Sequence, residues 1–154
     1  MVVEQCTITT LLNIRCGEPW HPCNSGGSRA VDLSNNVIRA GNSGIVVNNY
    51  ASGFISKIGD NQISLFPGTP VAGISLNMCR RQEVTGNTVE VLEDGTYYHG
   101  LRLQSSQDNF IYGNHFLDCS LGLGTYGSSN NYIYENEAVA QTFFNGSDRI
   151  REQQ

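Results

Sequence analysis

The stretch VTGNTV at residues 84–89 places an asparagine three residues after one apolar residue and two residues before another. The same pattern occurs five times along the chain, and successive asparagines are 25, 26, 27 and 22 residues apart. A repeat of this length is typical of a solenoid in which each repeat forms one turn of chain. The five asparagines are Asn36, Asn61, Asn87, Asn114 and Asn136.

A second repeated pattern is a glycine followed by an aliphatic residue, as at Gly73-Ile74 and Gly100-Leu101. Around both patterns, apolar residues alternate with polar ones, which is typical of half-buried strands. The sequence therefore predicts an all-β chain that forms a right-handed, single-stranded parallel β-helix of about five to six turns.

The repeated asparagine has a structural explanation in such a fold. At a corner between strands, its side-chain amide can bond the backbone and the matching asparagine of the next turn. We therefore predict a structural ladder of stacked asparagines. The alternative is that these residues are ordinary turn formers, and their regular spacing makes it less favoured.

Several stretches of the repeat resemble those of a known protein family. They are LSNNVIRAGNSGIVV (33–47), IGDNQIS (58–64), GISL (73–76), VTGNTVEV (84–91), GLRL (100–103), IYGNHF (111–116) and GLGT (122–125). With these stretches the chain resembles the pectin lyase-like β-helix repeats of carbohydrate-binding proteins, sugar hydrolases, mannuronan epimerases and phage tailspikes. The resemblance covers about residues 30–140 and implies a β-helix that handles carbohydrate. The enzyme signatures of those proteins, such as Asn-Thr-Asp and Gly-His-Gly, are missing, so the resemblance assigns no catalytic residue.

The repeat divides the chain into three regions. Residues 30–140 are predicted to form the β-helix, residues 1–29 an irregular turn or cap, and residues 141–154 a C-terminal cap with a polar tail. Both ends of a β-helix expose backbone and apolar side chains that must be covered. We therefore expect good caps, association into a homo-oligomer, or continuation in a longer chain.

Composition limits the classes of partner and the compartment. The net charge is −5, which argues against a nucleic-acid partner, because duplex binding normally needs a basic face. No apolar run approaches the ~18 residues of a membrane span, so no membrane partner is predicted. The N-terminus is a poor secretory signal, and five cysteines form no dense disulfide pattern, which slightly favours the cytoplasm.

One cysteine-rich segment could bind metal. Cys16, His21 and Cys23 lie close together in the sequence and could hold zinc, but their spacing is not that of a standard zinc knuckle. A Cys16–Cys23 disulfide and free thiols are the alternatives. We expect no metal and no cofactor.

Aromatic residues form the first candidate site. Phe110 and Tyr112 lie two residues apart on one turn, and Tyr132 and Tyr134 lie two residues apart on the next. Tyr126 is not far away. All four should face outward. Exposed aromatic clusters stack on sugar rings or pack against another subunit, so we predict either carbohydrate binding or a subunit interface here.

A groove around Arg102 is the second candidate site. Arg102 and Gln104 should face outward from one strand, and the loop before it supplies Tyr98 and His99. An arginine beside a histidine and a tyrosine would suit the carboxylate of a polyuronate, or proton abstraction next to it. The alternative is a solvated loop with one surface arginine.

An outward column of charge is predicted at Asp32, Lys57 and Glu83 on successive turns. A surface ion ladder is the favoured explanation, and a pair of catalytic carboxylates is the alternative.

Three functions remain open. The favoured one is a small module that binds carbohydrate or polysaccharide through its outward aromatic face. The alternatives are an assembly module that forms a homo-oligomer, and a polysaccharide lyase, epimerase or hydrolase.

Overall fold

The computed structural model describes the backbone of residues 2–4, 7–8, 12–15, 32–40, 43–48, 51–66, 72–92, 99–138 and 143–151. Side chains are described for residues 32–40, 43–48, 56–66, 72–92 and 99–138. Tyr98 and the Cys16, His21 and Cys23 segment lie outside the described residues, as do most of the predicted N-terminal cap and much of the C-terminal tail.

The described elements are all strands. They are β1 (Val2–Glu4), β2 (Thr7–Ile8), β3 (Leu12–Arg15), β4 (Asp32–Ser34), β5 (Val37–Ala40), β6 (Ile45–Asn48), β7 (Ala51–Gly59), β8 (Gln62–Leu65), β9 (Ala72–Asn77), β10 (Arg80–Thr85), β11 (Thr88–Val91), β12 (His99–Gln104), β13 (Phe110–Tyr112), β14 (His115–Leu117), β15 (Leu121–Tyr134), β16 (Glu137–Ala138) and β17 (Phe143–Arg151). In the described part of the chain, no helix is long and apolar enough to cross a membrane.

The strands pair in parallel and form two sheets. The larger sheet has the order β1-β4-β7-β10-β13-β15-β12-β9-β6-β3, with β17 paired to β15, and the smaller has the order β16-β14-β11-β8-β5-β2. Up to β14, neighbouring strands are three apart in the chain, and β15, β16 and β17 pair with strands two before them, as expected when each turn stacks on the previous one. The predicted all-β parallel β-solenoid is confirmed, while its handedness and number of turns stay predictions.

The core is a series of aliphatic columns that run through the stacked turns. In the smaller sheet, Ile38, Ile63, Val89 and Phe116 follow one another in register, and each is at most 1% exposed. In the larger sheet, a matching column begins at Leu33. These are the apolar positions that flank the repeated asparagine. The apolar residues that the sequence pattern predicts to face inward are therefore the residues that the fold buries.

The repeated asparagines form the predicted column. Nδ2 of Asn61 donates to Oδ1 of Asn87 at 2.8 Å and to the carbonyl oxygen of Leu33 at 2.8 Å. Oδ1 of Asn87 also accepts from the backbone N–H of Asn61 at 3.1 Å. Asn87 makes equivalent bonds to Asn114, and Asn87 is fully buried. Each buried amide therefore finds its partners within the column, which removes the cost of desolvating it.

The tight bend occurs at the residue before each of these asparagines. This residue has a left-handed backbone conformation in all five repeats, and glycine supplies it twice. The residues are Asn35 (φ 59°), Asp60 (φ 56°), Gly86 (φ 65°), Gly113 (φ 61°) and Glu135 (φ 52°). The asparagine column and the left-handed bend thus occupy adjacent positions of the same corner.

Two further polar columns line other corners. Oδ1 of Asn131 accepts from the backbone and side chain of Asn109, and Oδ1 of Asn109 accepts from the backbone N–H of Gln82 at 2.9 Å. At the third corner, Ser106 Oγ accepts from the backbone N–H of Cys79 at 3.0 Å. The sequence analysis did not identify these columns.

Candidate functional site

Two groups of outward side chains are candidate sites. We call the first the aromatic column, which consists of Phe110, Tyr112, Tyr132 and Tyr134 on β13 and β15. We call the second the arginine face. It consists of His99, Arg102, Gln104 and Tyr126, with Asn48 and Asn77 beside them, on β6, β9, β12 and β15.

The rings of the aromatic column stack across neighbouring strands. Phe110 and Tyr132 have ring centroids 5.1 Å apart and planes 9° apart, and for Tyr112 and Tyr134 the values are 4.9 Å and 3°. In each pair, one face of each ring is therefore covered by the other ring. Since a sugar stacks on an open ring face, the covered face of each ring is closed to a sugar, and Tyr132 is 38% exposed.

Glu83 extends the aromatic column onto the preceding turn. It is in register with Phe110, and the hydroxyl of Tyr112 donates a hydrogen bond to its carboxylate. This hydrogen bond is the main reason why the pKa of Tyr112 is raised, and burial adds to it. The carboxylate of Glu83 is thus already engaged by a neighbouring side chain.

The charged column is in register, but its members bond elsewhere. Asp32, Lys57 and Glu83 are neighbours on β4, β7 and β10 as predicted. However, Lys57 pairs with Asp60 at 3.2 Å, and Asp32 accepts a hydrogen bond from Ser34. The predicted ion ladder is therefore wrong in its pairing. The three side chains also give no support to a pair of catalytic carboxylates.

The arginine face lies on four neighbouring parallel strands. Arg102 of β12 is in register with Ser75 of β9 and Gly124 of β15. Two residues further on, Gln104 is in register with Asn77 and Tyr126, and Asn77 is in register with Asn48 of β6. These four residues form one column across the strands, with three amide side chains followed by one tyrosine.

His99 and Tyr126 form a hydrogen-bonded pair on this face. Nε2 of His99 lies 2.7 Å from the hydroxyl oxygen of Tyr126, and the rings meet edge to face with centroids 5.8 Å apart. Gly124 makes room for both rings, because a Cβ there would lie 2.9 Å from Cδ2 of His99 and 3.0 Å from Cε2 of Tyr126. The pair therefore depends on a residue without a side chain between its two members.

Arg102 lies against the same tyrosine. Its Cζ is 5.3 Å from the centroid of the Tyr126 ring, and its Nη2 donates to Oε1 of Gln104 at 2.9 Å. Within the described residues, Nε of Arg102 is the buried side-chain nitrogen that has no hydrogen-bond partner. The sequence analysis grouped Tyr126 with the aromatic column, and the structure instead brings Tyr126 together with His99 and Arg102.

The environment of His99 favours its neutral form. Burial is the main cause that lowers the pKa of His99, and the positive charge of Arg102 lowers it further. A neutral imidazole has one nitrogen that accepts a hydrogen bond, and Nε2 is the nitrogen nearest to the Tyr126 hydroxyl. The tautomer of His99 decides whether Nε2 accepts this hydrogen bond from the Tyr126 hydroxyl or donates it.

The amides beside the arginine face form a short row. Nδ2 of Asn77 donates to Oδ1 of Asn48 at 2.7 Å, and Oγ of Ser75 donates to Oδ1 of Asn77 at 3.4 Å. Gln104 is exposed, and Asn48 and Asn77 are half-buried. Together with Arg102 and Tyr126, they offer both donors and acceptors along one side of the solenoid.

The described residues contain no group of three or more His, Cys, Asp or Glu side chains that could hold a metal ion. Cys79 and Cys119 are free and buried. Burial raises the pKa of the Cys119 thiol to about 12, with a smaller contribution from Asp118, so it remains a thiol at neutral pH.

On the smaller sheet, Nδ1 of His115 lies 2.9 Å from Oε2 of Glu137, and the two side chains form an exposed pair.

Comparison with known proteins gives one match. The model of a family described as NosD, periplasmic copper-binding protein, matches residues 20–151 of the chain. No curated protein and no solved structure matches it. The match supports the parallel β-helix expected from the resemblance to pectin lyase-like repeats. That closer resemblance itself stays a prediction.

Proposed function

The chain belongs to the NosD family. From the side chains of its arginine face, we propose that it is a right-handed parallel β-helix module that binds carbohydrate on that face. The observation that carries the proposal is the set of side chains there. Arg102 lies over the ring of Tyr126, and Gln104 and Asn77 follow Tyr126 in register on the two preceding strands and supply hydrogen-bonding groups. Sugars are bound by such groups, because their hydroxyls need donors and acceptors while their C–H faces need an apolar surface.

The arginine face is better suited to carbohydrate binding than the aromatic column. In the aromatic column, the rings of the two pairs are stacked with centroids 5.1 and 4.9 Å apart, so the covered face of each ring is closed to a sugar. On the arginine face, polar side chains are distributed along four neighbouring strands. A polysaccharide could lie across these strands with successive sugars over successive turns.

We propose a different role for the aromatic column, which is association of copies of the chain. The exposed side chain of Tyr132 suits protein packing, and aromatic residues are enriched at the centres of subunit interfaces. This role agrees with the homo-oligomer predicted from the open ends of the solenoid.

Arg102→Ala tests the carbohydrate site. We expect it to weaken binding of acidic polysaccharides by about tenfold or more, because a hydrogen bond to a charged group is lost. Isothermal titration against polygalacturonate and alginate, with dextran as a neutral polysaccharide, provides the measurement. Arg39→Ala is the matched control, since Arg39 is also exposed and lies 5.8 Å from the ring of Phe66, but on the smaller sheet.

Tyr132→Ala serves as a second control in the same titration. It should leave carbohydrate binding unchanged and lower the particle mass in light scattering. Equal binding by the wild type and Arg102→Ala would contradict the proposed site. A monomeric wild type at high concentration would contradict association through the aromatic column.

Copper binding is the second candidate function, and the description of the family favours it. The described residues do not supply a set of three ligands. Cys16, His21 and Cys23 lie outside them, and thiolate and imidazole groups suit copper ions. We propose these three residues as the ligands if the chain carries the copper site that the family description names.

Substitution of both cysteines tests the copper site. The Cys16→Ser, Cys23→Ser double variant should lose more than about tenfold in Cu(I) affinity, measured against a competing chelator under reducing conditions. Cys119→Ser is the control, because the Cys119 thiol is buried and its pKa is raised to about 12. Copper affinity that is unchanged in the double variant would rule out these ligands.

A further inference from the structure

The larger sheet changes in chemical character from one turn to the next. On β10, Glu83 carries a half-buried carboxylate, and the stacked rings of Phe110 on β13 and Tyr132 on β15 follow it in register. On β17, the next register position is held by Arg149. An acidic residue, two aromatic residues and a basic residue therefore follow one another along neighbouring strands.

The other half of the aromatic column repeats this order without the acidic residue. Thr85, Tyr112 and Tyr134 are in register, and Arg151 holds the next position on β17. The charge is thus uneven about the stacked rings, because a carboxylate lies on one side of them and arginine positions follow on the other. A surface with opposite charges at its two ends can complement a second copy of itself.

We propose that two copies of the chain associate face to face through the aromatic column, about a two-fold axis parallel to its strands, with Glu83 of each copy opposite Arg149 of the other. This inference rests on the association proposed above and adds its symmetry and its charged contact. About such an axis, the order of the turns is reversed between the copies. The rings on β13 then lie opposite those on β15, and β10 lies opposite β17.

The other two-fold arrangement of the same surface is disfavoured by charge. An axis in the plane of the interface but perpendicular to the strands would place β10 opposite β10 and β17 opposite β17. Glu83 of one copy would then lie near Glu83 of the other, and Arg149 would lie opposite Arg151. Like charges that face each other across an interface oppose association. The order of charges along the strands therefore selects the axis parallel to them.

The carboxylate of Glu83 can make this contact and keep its hydrogen bond to Tyr112. A carboxylate has about four lone-pair sites, and the hydroxyl of Tyr112 uses one of them. That hydrogen bond also holds the carboxylate beside the rings of the column. Because Glu83 is half-buried, a guanidinium placed opposite it is less screened by water than in a fully exposed pair.

The size of the surface predicts a weak dimer. Four strands spaced by about 4.8 Å, with two register positions on each, cover less area than the ~800 Å² that each partner buries in a standard interface. We therefore expect a Kd of about 1–100 μM in sedimentation velocity experiments. Association should weaken as the salt concentration rises, because salt screens the charged contacts at its two ends.

Charge exchange between two variants of the full chain tests the arrangement. Glu83→Arg alone and Arg149→Glu alone should each weaken association by about tenfold or more, because each creates two like-charge contacts in the dimer. An equimolar mixture of the two variants should return to within about threefold of the wild-type Kd, since both contacts of the mixed dimer join opposite charges. A substitution that only damages the fold would not be rescued by mixing.

Arg151→Glu and Arg39→Glu are the controls, because Arg151 would lie opposite Thr85 and Arg39 is on the smaller sheet. Neither should restore association when it is mixed with Glu83→Arg. Dimers that are lost in Tyr132→Ala but unaffected by both charge variants, or not restored by mixing them, would overturn this arrangement and leave association through the aromatic column intact. A wild type that stays monomeric well above the expected Kd would overturn both.

Discussion

Asn87 shows how one buried side chain holds several turns together. Its Nδ2 donates to the carbonyl oxygens of Ile58 and Thr85 and to Oδ1 of Asn114, and its Oδ1 accepts from Asn61. Alanine would leave donors and acceptors of three turns without partners in a buried setting. The cost of an unsatisfied buried polar group is about 1–3 kcal/mol.

We expect Asn87→Ala to lower the free energy of unfolding by about 3–5 kcal/mol, as measured by urea denaturation. Gln62→Ala is the control, because Gln62 is an exposed residue next to the column, and its loss should change stability by less than about 0.5 kcal/mol. Equal urea midpoints of unfolding for the two variants would show that the asparagine column does not stabilise the fold.

At the residue scale, the asparagine column could be predicted because the same residue type recurs at each corner. The other polar columns could not, because their members differ in type. One of them contains Gln82, Asn109 and Asn131, and the other contains Cys79 and Ser106. Any side chain that accepts a hydrogen bond from a backbone N–H can occupy such a corner. This requirement therefore does not select one residue type that recurs in the sequence.

Strand β12 depends on a close approach that only glycine permits. A Cβ on Gly100 would collide with the ring of Phe116 and lie 2.6 Å from the carbonyl oxygen of Gly122. The second contact is with backbone, which cannot move without disturbing the pairing of β12 with β15. Because β12 carries His99 and Arg102, the same glycine supports the arginine face.

Gly100→Ala should therefore destabilise the fold by about 1–3 kcal/mol and weaken carbohydrate binding as well. Thermal unfolding and the titration described above measure the two effects. Gly59→Ala is the control, since a Cβ there meets only the flexible side chain of Lys57. If both alanine variants unfolded at the same temperature, the close packing of β12 would not be a constraint.

At the element scale, the register of the strands could be predicted, but the contacts between columns could not. Counting from the asparagines gave the stacked sets correctly, including Phe110 with Tyr132 and Tyr112 with Tyr134. Tyr126 was grouped with these residues, whereas it contacts His99 and Arg102. It lies on β15, a strand that runs from Leu121 to Tyr134 and carries residues of both candidate sites. Spacing defines which residues stack, whereas side-chain direction decides which stacks touch.

For the whole molecule, the repeat was sufficient to predict a parallel β-solenoid because every turn must satisfy the same packing and hydrogen-bonding requirements. The function does not follow from that repetition. Different ligands can be bound on the same scaffold, and the residues that matter are those that break the repeat. Here they include His99, Arg102 and Tyr126, which meet on one face although the sequence offers no motif for them.

The central claim is that an acidic polysaccharide binds on the arginine face. NMR of the isotope-labelled chain during titration with oligogalacturonate tests it most directly, because each amide and side-chain signal reports its own surroundings. The account predicts that the largest shift changes fall on His99, Arg102, Gln104 and Tyr126, and that they disappear in Arg102→Ala. Shift changes that cluster on Phe110, Tyr112, Tyr132 and Tyr134 instead, and persist in Arg102→Ala, would contradict it.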